Sequence, residues 1–158
     1  MSEHTNTADH DPHATIALPP PDRDISSRED IAIFVTDFYR DVAMDDLLGP
    51  IFDAEHVHWA QHVDKLTDFW AWQLFGERGY EGNPLLAHVP IDAKHPFSDA
   101  HFARWLEMFT TTIDLHYVGP TAQTAKQRAA KMASAMQRLL HGRSASADHP
   151  ITPYLTTR

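Results

Sequence analysis

A single histidine stands at the end of a very short predicted helix, within residues 80–90. Asn83 can cap the start of this helix with its side-chain oxygen, and Pro84 suits the first helical position, where no N–H is needed. Pro90 ends it, because proline disfavours α geometry in the preceding residue and has no N–H to donate. So short a helix is not stable alone. His88 is therefore either a structural histidine in a buried turn or the ligand of a group that holds the turn in place.

Three other polar side chains lie on the apolar stripes of three separate predicted helices. Tyr39 follows Val35 by four residues, His62 precedes Leu66 by four, and Trp105 is in the middle of its stripe. Residues spaced by four share one face of a helix, so these side chains point inward. A phenol O–H and an indole N–H are hydrogen-bond donors, and a buried tyrosine usually has a partner. The alternative is that all three merely fill the core.

The histidines also allow a zinc site, because His58 and His62 are four residues apart and could bind one ion from a helix. The pattern is weak without a third ligand. The chain has 12 histidines and no cysteine, which excludes disulfides, thiolate metal sites and iron–sulfur clusters.

Helical periodicity predicts four long helices and no strand. Ser26 or Ser27 caps the first, and the second runs from about residue 56 to 75. Ser98 caps the third, and the fourth spans about 121–140 and ends at Gly142. The small residues of the fourth helix allow close packing against a neighbour.

The chain divides into three parts by composition. Residues 1–25 are rich in His, Asp, Thr and Pro without apolar periodicity, which predicts a disordered tail. Residues 26–141 form one compact all-α domain with an unusually aromatic interior. Residues 142–158 are expected to be a loosely ordered extension.

The overall charge and hydropathy argue against several classes of partner. With 22 acidic and 13 basic residues the net charge is −9, so a nucleic-acid surface is not expected. No apolar run reaches the roughly 20 residues that span a bilayer, and the N-terminus lacks a signal sequence. These features predict a cytoplasmic protein that binds neither nucleic acid nor membrane.

The order and spacing of these features resemble the group III truncated haemoglobins over about residues 28–140. The matching stretches are Phe38–Val42, Leu48–Phe52, His62, Phe69–Trp70, Tyr80–Leu85 with His88, Phe102–Phe109 around Trp105, and Gln127–Ala129. The resemblance implies a shortened globin fold, in which two helices pack on two others with haem b between them.

The resemblance also implies roles for individual residues. His88 matches the proximal iron ligand, and Tyr39, His62 and Trp105 match the distal positions that face a bound gas. Nearby backbone carbonyls would orient the His88 ring N–H. The expected walls of the haem pocket are Leu66, Phe69, Trp70, Phe109 and Ile113.

Three functions are compatible with these residues. The first is a haem protein that binds oxygen or another small diatomic ligand, whose partial negative charge the Tyr39 and Trp105 donors stabilise. The second is a haem enzyme, such as a nitric oxide dioxygenase or a peroxidase-like oxidant, which needs an external electron donor. The third is a haem-free helical interaction module or a His58/His62 zinc protein. The oligomeric state stays open.

Overall fold

The computed structural model describes residues 18–147, with side chains for residues 18–142. Most of the predicted tail and the end of the predicted extension lie outside the described residues. The described part is helical and contains no strand, which confirms the all-α prediction. Its helices are α1 (Arg28–Met44), α2 (Gly49–Ala54), α3 (Trp59–Phe75), α4 (Pro84–Ala87), α5 (Val89–Lys94), α6 (Asp99–His116) and α7 (Pro120–Ala147).

Side-chain caps set the starts of two long helices as the sequence predicts. Ser27 caps α1, and its hydroxyl accepts the N–H of Asp30 at 3.2 Å. Ser98 caps α6 in a reciprocal arrangement with His101, whose Nδ1 accepts the Ser98 N–H at 3.0 Å. Each cap satisfies an amide that helical geometry leaves without a partner.

The four long helices pack as two pairs, α1 with α3 and α6 with α7, and α1 also packs against α6. The core centres on Phe34, whose ring meets those of Trp70 and Phe109 edge-on at 6.2 and 5.8 Å. α7 contributes small buried residues, among them Ala125 and Ala129, which are fully inaccessible to solvent. Small side chains let α7 approach its neighbours closely.

The corner between α1 and α2 depends on Gly49. A Cβ at this position would lie 2.7 Å from the carbonyl oxygen of Ala43, so only glycine fits without movement of the backbone. The close approach turns α2 back along α1, which brings Phe52 of α2 against Tyr39 of α1.

Three predicted helix boundaries differ from the structure. α3 begins at Trp59 with His58 as its N-cap, about three residues later than expected. Pro90 is predicted to end the His88 helix, and the residues after it are predicted to be a connection. In the structure Pro90 lies in the first turn of a second short helix, α5. α7 continues through Gly142 to Ala147, because one glycine costs a helix interior only about 1 kcal/mol relative to alanine.

The last residues of the predicted tail contact the domain. The Asp24 carboxylate accepts the N–H groups of Thr121 and Ala122, both at 2.8 Å, and so caps α7. Ile25 is only 2% exposed. Arg23 forms a 2.7 Å ion pair with the buried Asp30 of α1. Arg23–Ile25, the three residues before the predicted domain start at residue 26, therefore contact the domain.

No helix within residues 18–147 is long and apolar enough to cross a membrane.

Candidate functional site

His88 follows the four-residue helix α4, whose start is fixed as the sequence predicts. The Asn83 side-chain oxygen accepts the N–H groups of Leu85 and Leu86 at 3.0 and 3.2 Å, and Pro84 is the first helical residue. His88 Nδ1 lies 2.6 Å from the carbonyl oxygen of Pro84. A carbonyl oxygen only accepts hydrogen bonds, so Nδ1 carries the proton and donates it. The lone pair of His88 then resides on Nε2, which is free to bind a metal.

Burial keeps this histidine neutral and packs it against an aromatic ring. Desolvation lowers the pKa of His88 below its ordinary value, although the bond to Pro84 opposes the shift. The centroid of the Phe97 ring lies 6.2 Å from that of the imidazole. Asp92 of α5 holds Phe97 in place, because its carboxylate accepts the Phe97 N–H at 2.8 Å. A neutral imidazole is the form that ligates haem iron.

Tyr39 and Trp105 meet in the interior, as the apolar stripes predict. Tyr39 is 6% exposed, and Phe38 contacts both rings, with centroid distances of 4.7 Å to Tyr39 and 5.7 Å to Trp105. Burial raises the pKa of Tyr39 far above its ordinary value, and the Trp105 side chain, a hydrogen-bond donor nearby, partly opposes this. An indole N–H can only donate, so Trp105 can act toward Tyr39 only as a donor to the phenol oxygen, which leaves the Tyr39 O–H available to another acceptor.

His62 lies beside Tyr39, with ring centroids 4.7 Å apart and planes at 89°. Its Nε2 is buried and has no hydrogen-bond partner within the described part of the chain. Burial lowers the pKa of His62 to about 4, and the nearby His88 and Lys65 side chains act in the same direction. The ring is therefore neutral at pH 7. A buried polar atom without a partner is costly, so Nε2 marks a place where a further molecule can bind.

The five predicted pocket walls occupy two different environments. Phe69, Trp70, Phe109 and Ile113 are at most 4% exposed and belong to the central core, whereas Leu66 is half-buried one turn after His62. Trp70 stacks on Phe109 at 4.8 Å, and Phe109 stacks on Trp105 at 5.4 Å. The core thus extends through Phe109 to the predicted distal residues. Which of the five contact a ligand stays a prediction.

Sequence reasoning did not assign Phe52 and Trp59 to the site. Their rings stack at 5.3 Å, and both also contact His62 and Tyr39. Trp59 precedes His62 by three residues on one helix face, a spacing that does indicate contact. Phe52 reaches the site only through the turn at Gly49, which no periodicity reveals.

The proposed zinc pair is not supported by the geometry. The zinc pair requires His58 and His62 on one helix, but His58 is exposed and precedes α3 as its N-cap residue. The described residues contain no group of three or more histidines and carboxylates that could hold a metal ion.

The donor set instead fits a haem. The imidazole of His88 is neutral, carries its lone pair on Nε2 and lies against the Phe97 ring, and the buried Nε2 of His62 has no partner among the described residues. Comparison with known proteins agrees. The profile of the family described as bacterial-like globin matches residues 24–141, about three quarters of the chain. The chain belongs to the bacterial-like globin family.

This globin is 34% identical over 119 residues to the group 3 truncated haemoglobin Ctb of Campylobacter jejuni, a match that covers 73% of this chain and 91% of that protein. It also superposes on the crystal structure of a group III truncated haemoglobin from Campylobacter jejuni with a TM-score of 0.67. The identity there is 33%, and the match covers 73% of this chain and 92% of the other. The resemblance to group III truncated haemoglobins and the shortened globin fold are confirmed. Because globins are haem proteins, this globin is a haem-binding one, and the haem-free alternatives are set aside.

Proposed function

We propose that this globin binds oxygen or another small diatomic gas at a haem b held by His88, and that Tyr39 and Trp105 stabilise the gas. The observation that carries the proposal is the 2.6 Å contact between His88 Nδ1 and the Pro84 carbonyl oxygen. It fixes the tautomer and the orientation of the ring, and it leaves Nε2 as the ligating atom. When bound, haem would supply an iron centre that can bind both the His88 imidazole and a diatomic gas.

Tyr39 and Trp105 act in series on the gas. Trp105 N–H donates to the Tyr39 oxygen, which polarises the phenol and strengthens the Tyr39 O–H as a donor. The O–H then donates to the partially negative end of the gas. A hydrogen bond of this kind contributes on the order of 1–3 kcal/mol when its loss leaves a buried group unsatisfied.

The surrounding rings keep this region dry. Phe38 and Phe52 contact Tyr39, and Trp59 contacts both Tyr39 and His62. Removing water lowers the local dielectric constant, so the donor bonds gain strength compared with an exposed site. The raised pKa of Tyr39 keeps its O–H proton in place across the physiological range.

Haemin titration of His88→Gly tests the proximal assignment. Wild-type apoprotein should take up one haem per chain with the spectrum of a histidine-ligated globin. His88→Gly should lose that spectrum and regain it when imidazole is added, because free imidazole can occupy the vacated position. His58→Gly is the matched control, since His58 is exposed outside the site. A His88→Gly protein with an unchanged histidine-ligated spectrum would rule out His88 as the ligand.

A second candidate is peroxidase-like oxidation, and it is favoured by the neutral, unpartnered Nε2 of His62. Such a nitrogen can accept a proton from hydrogen peroxide while an external one-electron donor supplies the electrons that reduce peroxide to water. General-base catalysis typically contributes about 10²–10⁴-fold in rate. His62→Leu should therefore lower peroxide-dependent oxidation of an aromatic dye by that order. Equal rates in the two proteins would leave gas binding as the better description.

A further inference from the structure

Aromatic rings surround the imidazole of His62 on several sides. Tyr39 lies edge-on at 4.7 Å, Phe52 at 5.9 Å and Trp59 at 6.0 Å between ring centroids. Phe52 and Trp59 are themselves stacked, with centroids 5.3 Å apart and planes at 22°. We call these two residues the positioning pair.

No hydrogen bond to Nε2 holds His62 in its inward orientation. That nitrogen has no partner among the described residues, and burial deprives it of water. An imidazole that rotated outward could hydrate the nitrogen, and staggered side-chain rotamers make such a rotation accessible. Solvent is close, because Gln61, Asp64 and Lys65 are exposed on the same part of α3. Ring packing must therefore keep the imidazole inside.

The positioning pair stands on two elements that come together at the start of α3. Phe52 belongs to α2, and Trp59 is the first residue of α3, three residues before His62. Both rings are half-buried, so each also has a side toward solvent. A change in either ring opens space next to His62 without touching the His88 turn.

We propose that the Phe52–Trp59 pair positions His62 inside the distal site and that it thereby limits the rate at which a gas enters. This inference rests on the proposed function. The pair acts through His62, whose ring both members contact. If the pair only filled the core, its substitution would lower stability. Its effect on gas entry would then be the same with and without the His62 side chain.

A double-mutant cycle on the haem-loaded protein separates these views. Carbon monoxide association is measured after flash photolysis in wild type, Trp59→Ala, His62→Ala and the double variant. Trp59→Ala should accelerate association by about threefold or more, in line with the coupling seen between contacting residues. In the His62→Ala background the same substitution should have little effect, because the side chain that it releases is gone. Equal acceleration in both backgrounds, or none in either, would overturn the proposal.

Two further variants test whether the effect requires loss of a ring and whether it arises from both members of the pair. Trp59→Phe retains a ring and should stay close to wild type, and Phe52→Leu should reproduce the effect from the other member of the pair. Trp72→Ala is the matched control. Trp72 is a tryptophan on the same helix, stacked on Tyr80 at 6.0 Å and 47% exposed, away from His62. It should leave association unchanged.

A readout that does not depend on haem tests the position of His62 directly. Diethyl pyrocarbonate acylates accessible imidazoles, and mass spectrometry reports the rate for each histidine of the protein as purified. Trp59→Ala should raise the rate at His62 severalfold and leave the exposed His58 as an unchanged internal reference. An unaltered His62 rate would overturn the positioning role even if haem binds. Absence of haem uptake in wild type would instead refute the proposed function.

Discussion

His88 and Pro84 are joined by a 2.6 Å contact between Nδ1 and a carbonyl oxygen four residues earlier. Both atoms belong to a turn whose geometry depends on the Asn83 cap, since the Asn83 side chain accepts two of its N–H groups. The orientation of the proposed iron ligand therefore depends on a local turn, residues 83–88, whose cap can be predicted from the sequence.

The first prediction concerns this cap. Asn83→Ala should destabilise the turn by about 0.5–2 kcal/mol and loosen the carbonyl that orients His88. Haem should then leave the protein faster, which transfer to excess apomyoglobin measures. Asn83→Ser, whose hydroxyl can also cap, should behave almost like wild type. Identical rates of haem loss for the alanine and serine variants would show that the cap does not support the ligand.

The second prediction concerns the two donors. Tyr39→Phe removes the hydroxyl and Trp105→Phe removes the indole N–H, while both keep an aromatic ring. Each should speed oxygen dissociation, by roughly tenfold for every 1.4 kcal/mol of lost hydrogen bond. Carbon monoxide carries less negative charge when bound, so its dissociation should change less. Because Trp105 is proposed to act through Tyr39, the double variant should lose less than the sum of the single losses. Equal small changes for both gases, with a lower melting temperature, would favour a core-filling role.

The sequence predicts those features of the fold and site that arise from contacts between residues close together in the chain. Ser27, Asn83 and Ser98 cap their helices because each side chain meets amides two or three residues away, which a short window contains. Helical spacing alone predicts that Tyr39 and Trp105 point inward, and in the structure Tyr39 is buried and Trp105 is half-buried.

What the sequence does not predict requires contacts between distant residues. Phe52 reaches His62 only because Gly49 lets α2 fold back on α1. Gly142 was expected to end α7, but packing outweighs the small cost of glycine, and the helix continues. Asp24 caps α7 from nearly a hundred residues away, so nothing near it in the sequence reveals the contact.

The third prediction is a pH dependence in the haem-free protein. Burial lowers the pKa of His62 to about 4, below the ordinary value of 6.5. Between these two values the unfolded chain binds more protons at this residue than the folded one, so stability falls as pH falls from 6.5 to 4. The loss from this residue is on the order of 3 kcal/mol.

A comparison with His62→Phe isolates that loss. The free energy of unfolding, measured by urea denaturation at pH 7, 5.5 and 4, should drop less steeply for His62→Phe than for wild type. The pKa of Asp30 is held well below its usual range, so its ion pair with Arg23 persists over this pH range in both proteins. His58→Phe serves as control, because His58 is exposed. Parallel curves for wild type and His62→Phe would mean that His62 is hydrated.

The last prediction concerns how the N-terminal residues before α1 contribute to the free energy of unfolding. The sequence alone suggests that the tail before Ser26 is dispensable for the haem site, but Arg23, Asp24 and Ile25 each contact the domain and so bear on its stability. Deletion of residues 1–21 should leave the free energy of unfolding nearly unchanged. Deletion of residues 1–25 should lower it by several kcal/mol, since burial of an isoleucine contributes about 1.5–3 kcal/mol and a helix cap about 1 kcal/mol.

Asp30 adds to that loss. The Arg23 guanidinium holds the pKa of the Asp30 carboxyl well below its usual range, and without Arg23 this buried charge loses its ion-pair partner. Asp24→Ala in the full-length chain should reproduce only the cap portion, which separates the contributions. Because these contacts lie at the α1–α7 side and not at the His88 turn, haem stoichiometry should survive both deletions at low temperature. A 1–25 deletion that unfolds at the same urea concentration as the 1–21 deletion would show that Arg23–Ile25 contribute no net stability.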